Sequence, residues 1–486
     1  MKLPKICFTT ALMMAGVCRG QEPAPPLPPP ADEPQQAFYG GRIQRSMTLL
    51  ATSSKERRWP VRVLIYGQSI TGSTVLTGMI EKFLRDRFPY ADLQLENRSI
   101  GGFNADRLVR TAWHDLYPFY PDLLIFHVYG GEKTGDLERL LSNVRRCTTA
   151  DVVLFNHHQT RDRKADLEFA PKVFRALSEK YNFELVEISN EWPAYLEKNS
   201  LDPARLLRDN VHPNQEGLAL LTTYIGRHLR YNPLLPAGSG IEMVRTYEAK
   251  RPLEEASDEI TFGGAPWDLD RFGAVGRSPA SPLRLRFEGN RVDIVAAYTK
   301  DGPARGSAKI LIDGKPPSQD MRTYAVTLPS RGPQTWFPCI RRVTYRSMPL
   351  VEDWTLRITE IDATASRLRF QVTGSKTGLD GAGNSWEPFV SKSGRVVIEP
   401  RDWMLADIMK IFKQTTPPPV GYEVKWSVKP LHVDEYRAPE TTDPAKVYVE
   451  TVAQGLTNGP HLLEVIPNGD GIVPIEAIQI YHPPMK

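Results

Sequence analysis

Cysteine is scarce. The 486 residues hold four, and two of them, Cys7 and Cys18, fall within the first 20. Cys147 and Cys339 are too few and too far apart for a disulfide scaffold, and the sequence leaves open whether they pair. There is no CxxC and no HExxH, so neither a metal site nor a cofactor is signalled. The G-x-S-x-G elbow of the α/β-hydrolases is missing too. Neither sign of charge dominates: 61 Lys and Arg against 57 Asp and Glu leave +4. That balance gives no global argument for nucleic acid or an anionic membrane as partner. Beyond the N-terminus no apolar run is long enough to span a bilayer. The rest, 41% hydrophobic and 24% charged, is ordinary globular composition, long enough for two or three domains.

The N-terminus is built for export. Lys2 and Lys5 precede the apolar stretch 6–17, and charged, Pro-rich sequence follows. This is the pattern of a secretory signal peptide over residues 1–20, which implies a secreted or periplasmic protein. A lipid anchor at Cys18 is disfavoured, because Val17 is bulkier than the small residue expected before an anchored cysteine. Residues 21–40 read as a linker. Seven prolines in the fourteen residues 21–34 preclude a helix and favour an extended tether.

Residues 41–232 alternate strand and helix patterns. Short β-branched runs at 61–66 (VRVLIY), 93–97, 123–128 (LLIFHV), 152–156 (VVLFN) and 184–188 are separated by segments of helical spacing. One such segment is 74–87, with Leu76, Met79, Ile80 and Phe83 on one face. The pattern predicts a three-layer α/β/α sandwich around a parallel sheet. From 241 to 486 short strands with period-two alternation, broken by Gly, Pro and Asp, predict an antiparallel β-sandwich. Runs at 354–358 and 368–372 are counted among its strands. Its middle, about 320–440, is expected to be a long irregular insertion, and the Gly-rich stretch 374–384 a loop.

Three pieces of the α/β region carry chemistry. Strand 61–66 runs into Gly67-Gln68-Ser69, which puts a serine at the mouth of a parallel sheet. Ser69 is either a presented nucleophile or the cap of the following helix. Asp209-Asn210-Val211-His212 lies just before the last helix. That spacing lets the carboxylate fix the tautomer of an imidazole whose other nitrogen takes a proton from a serine. The glycines in Asn97-Arg98-Ser99-Ile100-Gly101-Gly102 allow close backbone approach, and the Gly102 N–H can face an oxyanion. The remaining histidines, His127 among them, are expected to be structural or surface groups.

Taken together, these blocks resemble the SGNH (GDSL-type) hydrolases over residues 60–231. Gly67-Gln68-Ser69 matches the family's Gly-Asp-Ser, Gly102 its second-block glycine, and Asp209 with His212 its Asp-x-x-His. The resemblance implies Ser69 as nucleophile, His212 as general base and acid, and Asp209 as its orienting partner. It also implies the N–H groups of Ser69 and Gly102 as oxyanion donors. One block departs. Where the family carries Gly-x-Asn-Asp, this chain reads Gly130-Gly131-Glu132-Lys133, and an ionised Glu132 only accepts hydrogen bonds. A replacement donor is expected at Gly130 or at Asn156, with His157 and His158 beside it.

The β-region is similar, more loosely, to the jelly-roll carbohydrate-binding-like modules attached to secreted esterases, on segments such as 285–290, 310–314 and 460–465. Trp336, Trp354, Trp386 and Trp403 all fall in the insertion, and each is either core or a platform for a sugar ring. The expectation is a secreted serine esterase that deacylates a carbohydrate without a cofactor. The alternatives are a glycan-binding protein with little turnover and an O-acyltransferase using the same serine.

Overall fold

The computed structural model describes residues 27–31, 34–160, 169–235, 242–249, 260–262, 267–270, 273–298 and 305–486. The expected signal peptide, with Cys7 and Cys18, and the first residues of the linker lie outside the described residues.

The α/β region runs in chain order α1 (Gln44–Thr52), β1 (Pro60–Gly67), α2 (Thr74–Arg87), β2 (Asp92–Asn97), α3 (Ala105–Asp115) and β3 (Leu123–His127), then α4 (Asp136–Cys147), β4 (Asp151–Phe155), α5 (Phe169–Tyr181), β5 (Glu184–Val186), α6 (Ile188–Lys198) and α7 (Gln215–His228). The five strands form a parallel sheet in the order β2-β1-β3-β4-β5. β3 and β4 are buried along their whole length, as expected of strands covered on both faces. Helical spacing supplies the cover. Leu137, Leu140, Leu141 and Val144 of α4 face inward at i, i+3, i+4 and i+7. The helix α3 packs against α4, and α4 against α5, while α2 packs against α7. The strand order reverses between β1 and β3, which opens a crevice at their carboxyl ends.

Beyond residue 243 the named strands among the described residues pair antiparallel. The strands are β6 (Val244–Glu248), β7 (Ile260–Phe262), β8 (Asp268–Asp270), β9 (Gly273–Gly276), β10 (Leu283–Ala296), β11 (Ser307–Ile312), β12 (Tyr324–Val326), β13 (Asp353–Ile361), β14 (Leu368–Gly374), β15 (Gly378–Asn384), β16 (Phe389–Val390) and β17 (Val397–Ile398). A short helix α8 (Leu405–Ile411) precedes β18 (Glu423–Pro430), β19 (Glu435–Arg437), β20 (Val449–Pro467) and β21 (Val473–Tyr481). Two long strands organise the sandwich. The first half of β10 pairs with β7 and the end of β20, and its second half with β21 and the start of β20. Register shifts after Gly289 and Val292 mark the bends. Between the two halves lies a buried cluster that includes Leu283, Leu285, Ile294, Ile310, Leu463, Val465, Ile475 and Ile478.

The stretch expected to be irregular is not. Between β11 and β19 the chain forms a separate five-stranded sheet in the order β12-β18-β13-β14-β15. The runs 354–358 and 368–372 belong to that sheet, not to the sandwich. β14 alternates strictly buried and exposed, and its inward residues join Trp354, Leu356, Val424 and Trp426. The same buried cluster takes in Leu108 and Ala112 of α3, so the inserted sheet and the α/β region share one core. The Gly-rich 374–384 stretch is largely strand β15 rather than loop, because a side chain on Gly383 would stand 2.5 Å from the ring of Phe389. Cys147 and Cys339 are both free thiols, and burial pushes each up to about 12.

Candidate active site

At the end of β1 the backbone must pass close to β3. Gly67 has φ +141, and a Cβ there would lie 1.9 Å from the carbonyl oxygen of His127. The chain then turns at 68–72, where the N–H of Gly72 and the hydroxyl of Thr71 both donate to Gln68 O, at 2.7 and 3.0 Å. Ser69 sits half-buried in this turn. It does not cap α2, because Ser73 accepts from Leu76 N and does so instead. Gln68 is buried, and its amide orientation follows from the network around it. Its oxygen accepts from Tyr129 N at 3.0 Å and its nitrogen donates to Phe103 O at 3.3 Å. It therefore ties the loops after β1, β2 and β3 together.

Asp209 and His212 stand on a loop pinned at both ends. Arg208 N donates to His212 O (2.8 Å), and Asn214 N to Leu206 O (2.9 Å). Asn214 then caps α7 by accepting from Gly217 N. Within the loop Asp209 Oδ1 accepts from the N–H groups of Val211 and His212, each at 2.8 Å. His212 Nδ1–H donates to Asp209 Oδ2 at 2.9 Å, and Ser69 Oγ–H donates to His212 Nε2 at 2.9 Å. Partial burial pushes the Asp209 carboxyl up. The two N–H groups and the imidazole outweigh it and hold that carboxyl well below the usual carboxylate range. Asp209 is thus an anion that fixes Nδ1 as the protonated nitrogen and leaves Nε2 to accept. The side chains of His212 and Asp209 are 30% and 47% exposed.

The second-block glycines form a tight turn beside the serine. Phe103 N donates to Ile100 O at 3.0 Å, and Gly102 has φ +82. A Cβ on Gly101 would lie 3.7 Å from Ser69 Cβ. The glycine turn therefore lies directly against Ser69.

The departing block is resolved by burial. The Glu132 carboxylate has partners of its own, since Oε1 accepts from Gly130 N (3.2 Å) and from His157 Nε2 (3.1 Å). Burial pushes its carboxyl up, but the His157 and backbone hydrogen bonds win and lower it. This corrects two expected donors. The Gly130 N–H is taken by Glu132, and the Asn156 amide donates to Glu187 (3.1 Å) while accepting from Ser189 N (2.8 Å). Asn104, at the N-cap of α3, makes no capping hydrogen bond. Its amide lies against Gly130, 3.3 Å from where a Cβ would be. Its place in the sequence, two residues past Gly102 and just ahead of a helix, was the available signal.

A layer of histidines supports the loops. His157 Nε2–H donates to Glu132, so His157 Nδ1 accepts from His127 Nε2–H at 3.2 Å. His127 is fully buried, stacked on Phe155 at 4.7 Å, and burial holds it well below the usual histidine range. His158 Nε2–H donates to Val211 O at 2.6 Å, inside the 209–212 loop, and Nδ1 accepts from the Tyr129 hydroxyl at 3.2 Å. Burial lowers His158 to about 4, so it is neutral at pH 7. Among the described residues no group of three or more His, Cys, Asp or Glu is arranged to hold a metal ion.

Trp336, Trp354, Trp386 and Trp403 of the inserted region divide. Trp354 is core, Trp403 leans on Phe370, and Trp386 lies under Arg367 and Arg369. Trp336 is 51% exposed, and its indole N–H donates to Gly101 O at 2.7 Å, next to Ser69.

No protein-family model matches the chain, and no curated protein matches it. Solved structures show a general likeness. One is a two-domain esterase, CEX, active on acetylated mannans and co-crystallized with mannopentaose: 13% identity over 92% of this chain and 95% of that one, TM-score 0.34. Another is a catalytic mutant of Axe2, an acetylxylan esterase from Geobacillus stearothermophilus: 18% identity over 35% and 95%, TM-score 0.31. A third is LAE5, an alpha/beta hydrolase from the metagenome of Lake Arreo, Spain: 16% identity over 36% and 100%, TM-score 0.31. Likenesses at this level carry no weight on activity or substrate.

Proposed function

We propose that this chain is an exported serine esterase of SGNH type that removes a small acyl group, acetyl first of all, from a carbohydrate. The observation that carries this reading is the unbroken hydrogen-bond series from Ser69 Oγ through His212 to Asp209, beside a glycine turn. His212 Nε2 takes the serine proton as Oγ attacks the ester carbonyl, and Asp209 stabilises the imidazolium. The developing oxyanion is received by the N–H groups of Ser69 and Gly102, with the Asn104 amide as third donor. The imidazolium returns the proton to the departing sugar oxygen. Water then repeats the sequence on the acyl-enzyme and frees the acid.

The exposure of His212 and Asp209 favours hydrolysis over transfer, because water reaches the general base. A glycan-binding protein with little turnover is the alternative that an unpartnered Glu132 would favour, but its carboxylate is engaged by Gly130 and His157. A carbohydrate as the alcohol part is supported by the open face of Trp336 beside Ser69. Export is supported by the N-terminal sequence.

The test is acetate release from a panel of acetylated polysaccharides. Ser69→Ala and His212→Ala are expected to lower turnover by about 10³-fold or more, since the nucleophile and its base act as a unit. Undiminished release by Ser69→Ala would reject the mechanism.

A further inference from the structure

Residues 100–103 form a β-turn in which Gly101 and Gly102 are the central pair. Gly102 has φ +82, and Gly101 is not among the positive-φ residues, which makes the turn type II. Types I and II differ by a flip of the central peptide, here the unit formed by Gly101 C=O and Gly102 N–H. With glycine on both sides, side-chain sterics do little to oppose that flip. Something else must set the direction of the Gly102 N–H.

The group in place to do so comes from the inserted sheet region. Trp336 Nε1–H donates to Gly101 O at 2.7 Å. In a trans peptide the C=O and N–H point in opposite directions. Holding the carbonyl therefore aims the N–H away from the indole. The indole is itself fixed: its ring meets Phe412 edge-on at 4.7 Å, and Phe337 meets both Phe412 (5.0 Å) and Phe103 of the turn (4.7 Å).

We propose that Trp336 is a positioning residue that locks the Gly101–Gly102 peptide in the orientation that offers the Gly102 N–H to the oxyanion. The inference rests on the esterase reading above and deepens it, because it makes a residue more than a hundred positions beyond the triad part of the oxyanion hole. Trp336→Phe keeps the ring and removes only the N–H, so the peptide is freed to flip while the aromatic cluster stays. A missing oxyanion donor costs about 10²–10³ in turnover; a donor that is only misdirected part of the time costs less, roughly 10-fold or somewhat more.

The experiment uses the full chain and p-nitrophenyl acetate, with three readouts on wild type and Trp336→Phe. The kcat is expected to fall roughly 10-fold with KM unchanged, because the lost interaction exists only in the tetrahedral state. Affinity for an aryl boronic acid, which forms a tetrahedral adduct on Ser69, is expected to fall by a similar factor. The number of sites labelled by an organophosphonate, run to completion, is expected to stay at one per chain. A kcat and a boronate affinity within about twofold of wild type would overturn the proposal. A fall in labelled sites that matches the fall in kcat would overturn it too, by assigning Trp336 a structural role only. Boronate binding is measured without turnover, so it reports on Trp336 even if the wild type hydrolyses none of the esters offered. Undiminished hydrolysis by Ser69→Ala would instead reject the esterase reading itself.

Discussion

The inserted sheet and the sandwich are both antiparallel, yet they attach to the α/β region by opposite means. The inserted sheet merges its core with that of the α/β region. Phe337, Val343, Trp354 and Leu356 are buried in one cluster with Leu108, Ala112 and Leu116. Polar clips close the seam: Arg110 binds Asp402 in a fork at 2.8 and 2.5 Å, and His114 bridges Val326 O and Val343 N. The sandwich keeps a buried cluster of its own and meets the α/β region mainly through hydrogen bonds and ion pairs, with a small apolar contact of Trp59 on Val295, Val447 and Ala477. Tyr120 donates to Asn290, Asn290 to Cys147 O, Gln454 to Pro118 O, and Arg57 pairs with Glu476. A shared core couples two parts into one folding event. A mainly polar seam is expected to couple two parts more weakly than a shared core does.

Four substitutions test that contrast, in order of decreasing effect. Phe337→Ala in the shared core and Ile310→Ala in the sandwich core should each cost about 2–5 kcal/mol by cavity formation. Only Phe337→Ala should also lower kcat per folded site, because Phe337 backs Phe103 and the 100–103 turn. Denaturant unfolding and site-titrated turnover would show it, and equal kcat in the two variants would erase the distinction.

Next is acid. Burial, reinforced by Arg342 and Arg110 and opposed by the hydrogen bond to Val326 O, lowers His114 from its usual 6.5 to about 4. The unfolded chain therefore takes up this proton first. The contribution of His114 is complete above about pH 6.5 and drains away as pH falls towards 4. His114→Gln should be less stable at pH 7.5, by about 1–3 kcal/mol. The gap to wild type should narrow by pH 4.5, as read from urea midpoints. The comparison must be with the variant, since burial pushes the neighbouring Asp115 up to about 7 and gives the opposite slope. A constant gap would mean that His114 is not buried neutral. The smallest effect is expected at the polar seam. Tyr120→Phe should cost about 0.5–1.5 kcal/mol and leave turnover unchanged.

The parts of the molecule legible in its sequence were those where chemistry and backbone pattern are local. Apolar runs at 61–66 and 123–128 announce buried parallel strands, and Ser69 and the Asp209–His212 spacing each lie within a few residues of a strand or helix end. The inserted sheet was hidden because β15, GLDGAGN, has few side chains to alternate. Its glycines answer to the Phe389 ring, a neighbour set by tertiary packing. Glu132 misled for a related reason. Its residue type suggests a clash, but its partners, His157 and the Gly130 N–H, are fixed by the end of β4 and by a glycine turn. Trp336 could be marked as one of four candidates but not chosen, since its acceptor is 235 residues away.

That separation matters to the chain as it is being made. At about 5–20 residues per second, tens of seconds pass between synthesis of Gly101 and of Trp336. By the latter part of that interval Ser69, Asp209 and His212 have all been made, but the face of α3 that meets Phe337 and Trp354 is still uncovered. The nascent α/β region is thus an unfinished folding unit, held open until the ribosome is well past it. It should mature late and all at once, with the surroundings of Ser69 complete only when the second half of the polypeptide arrives.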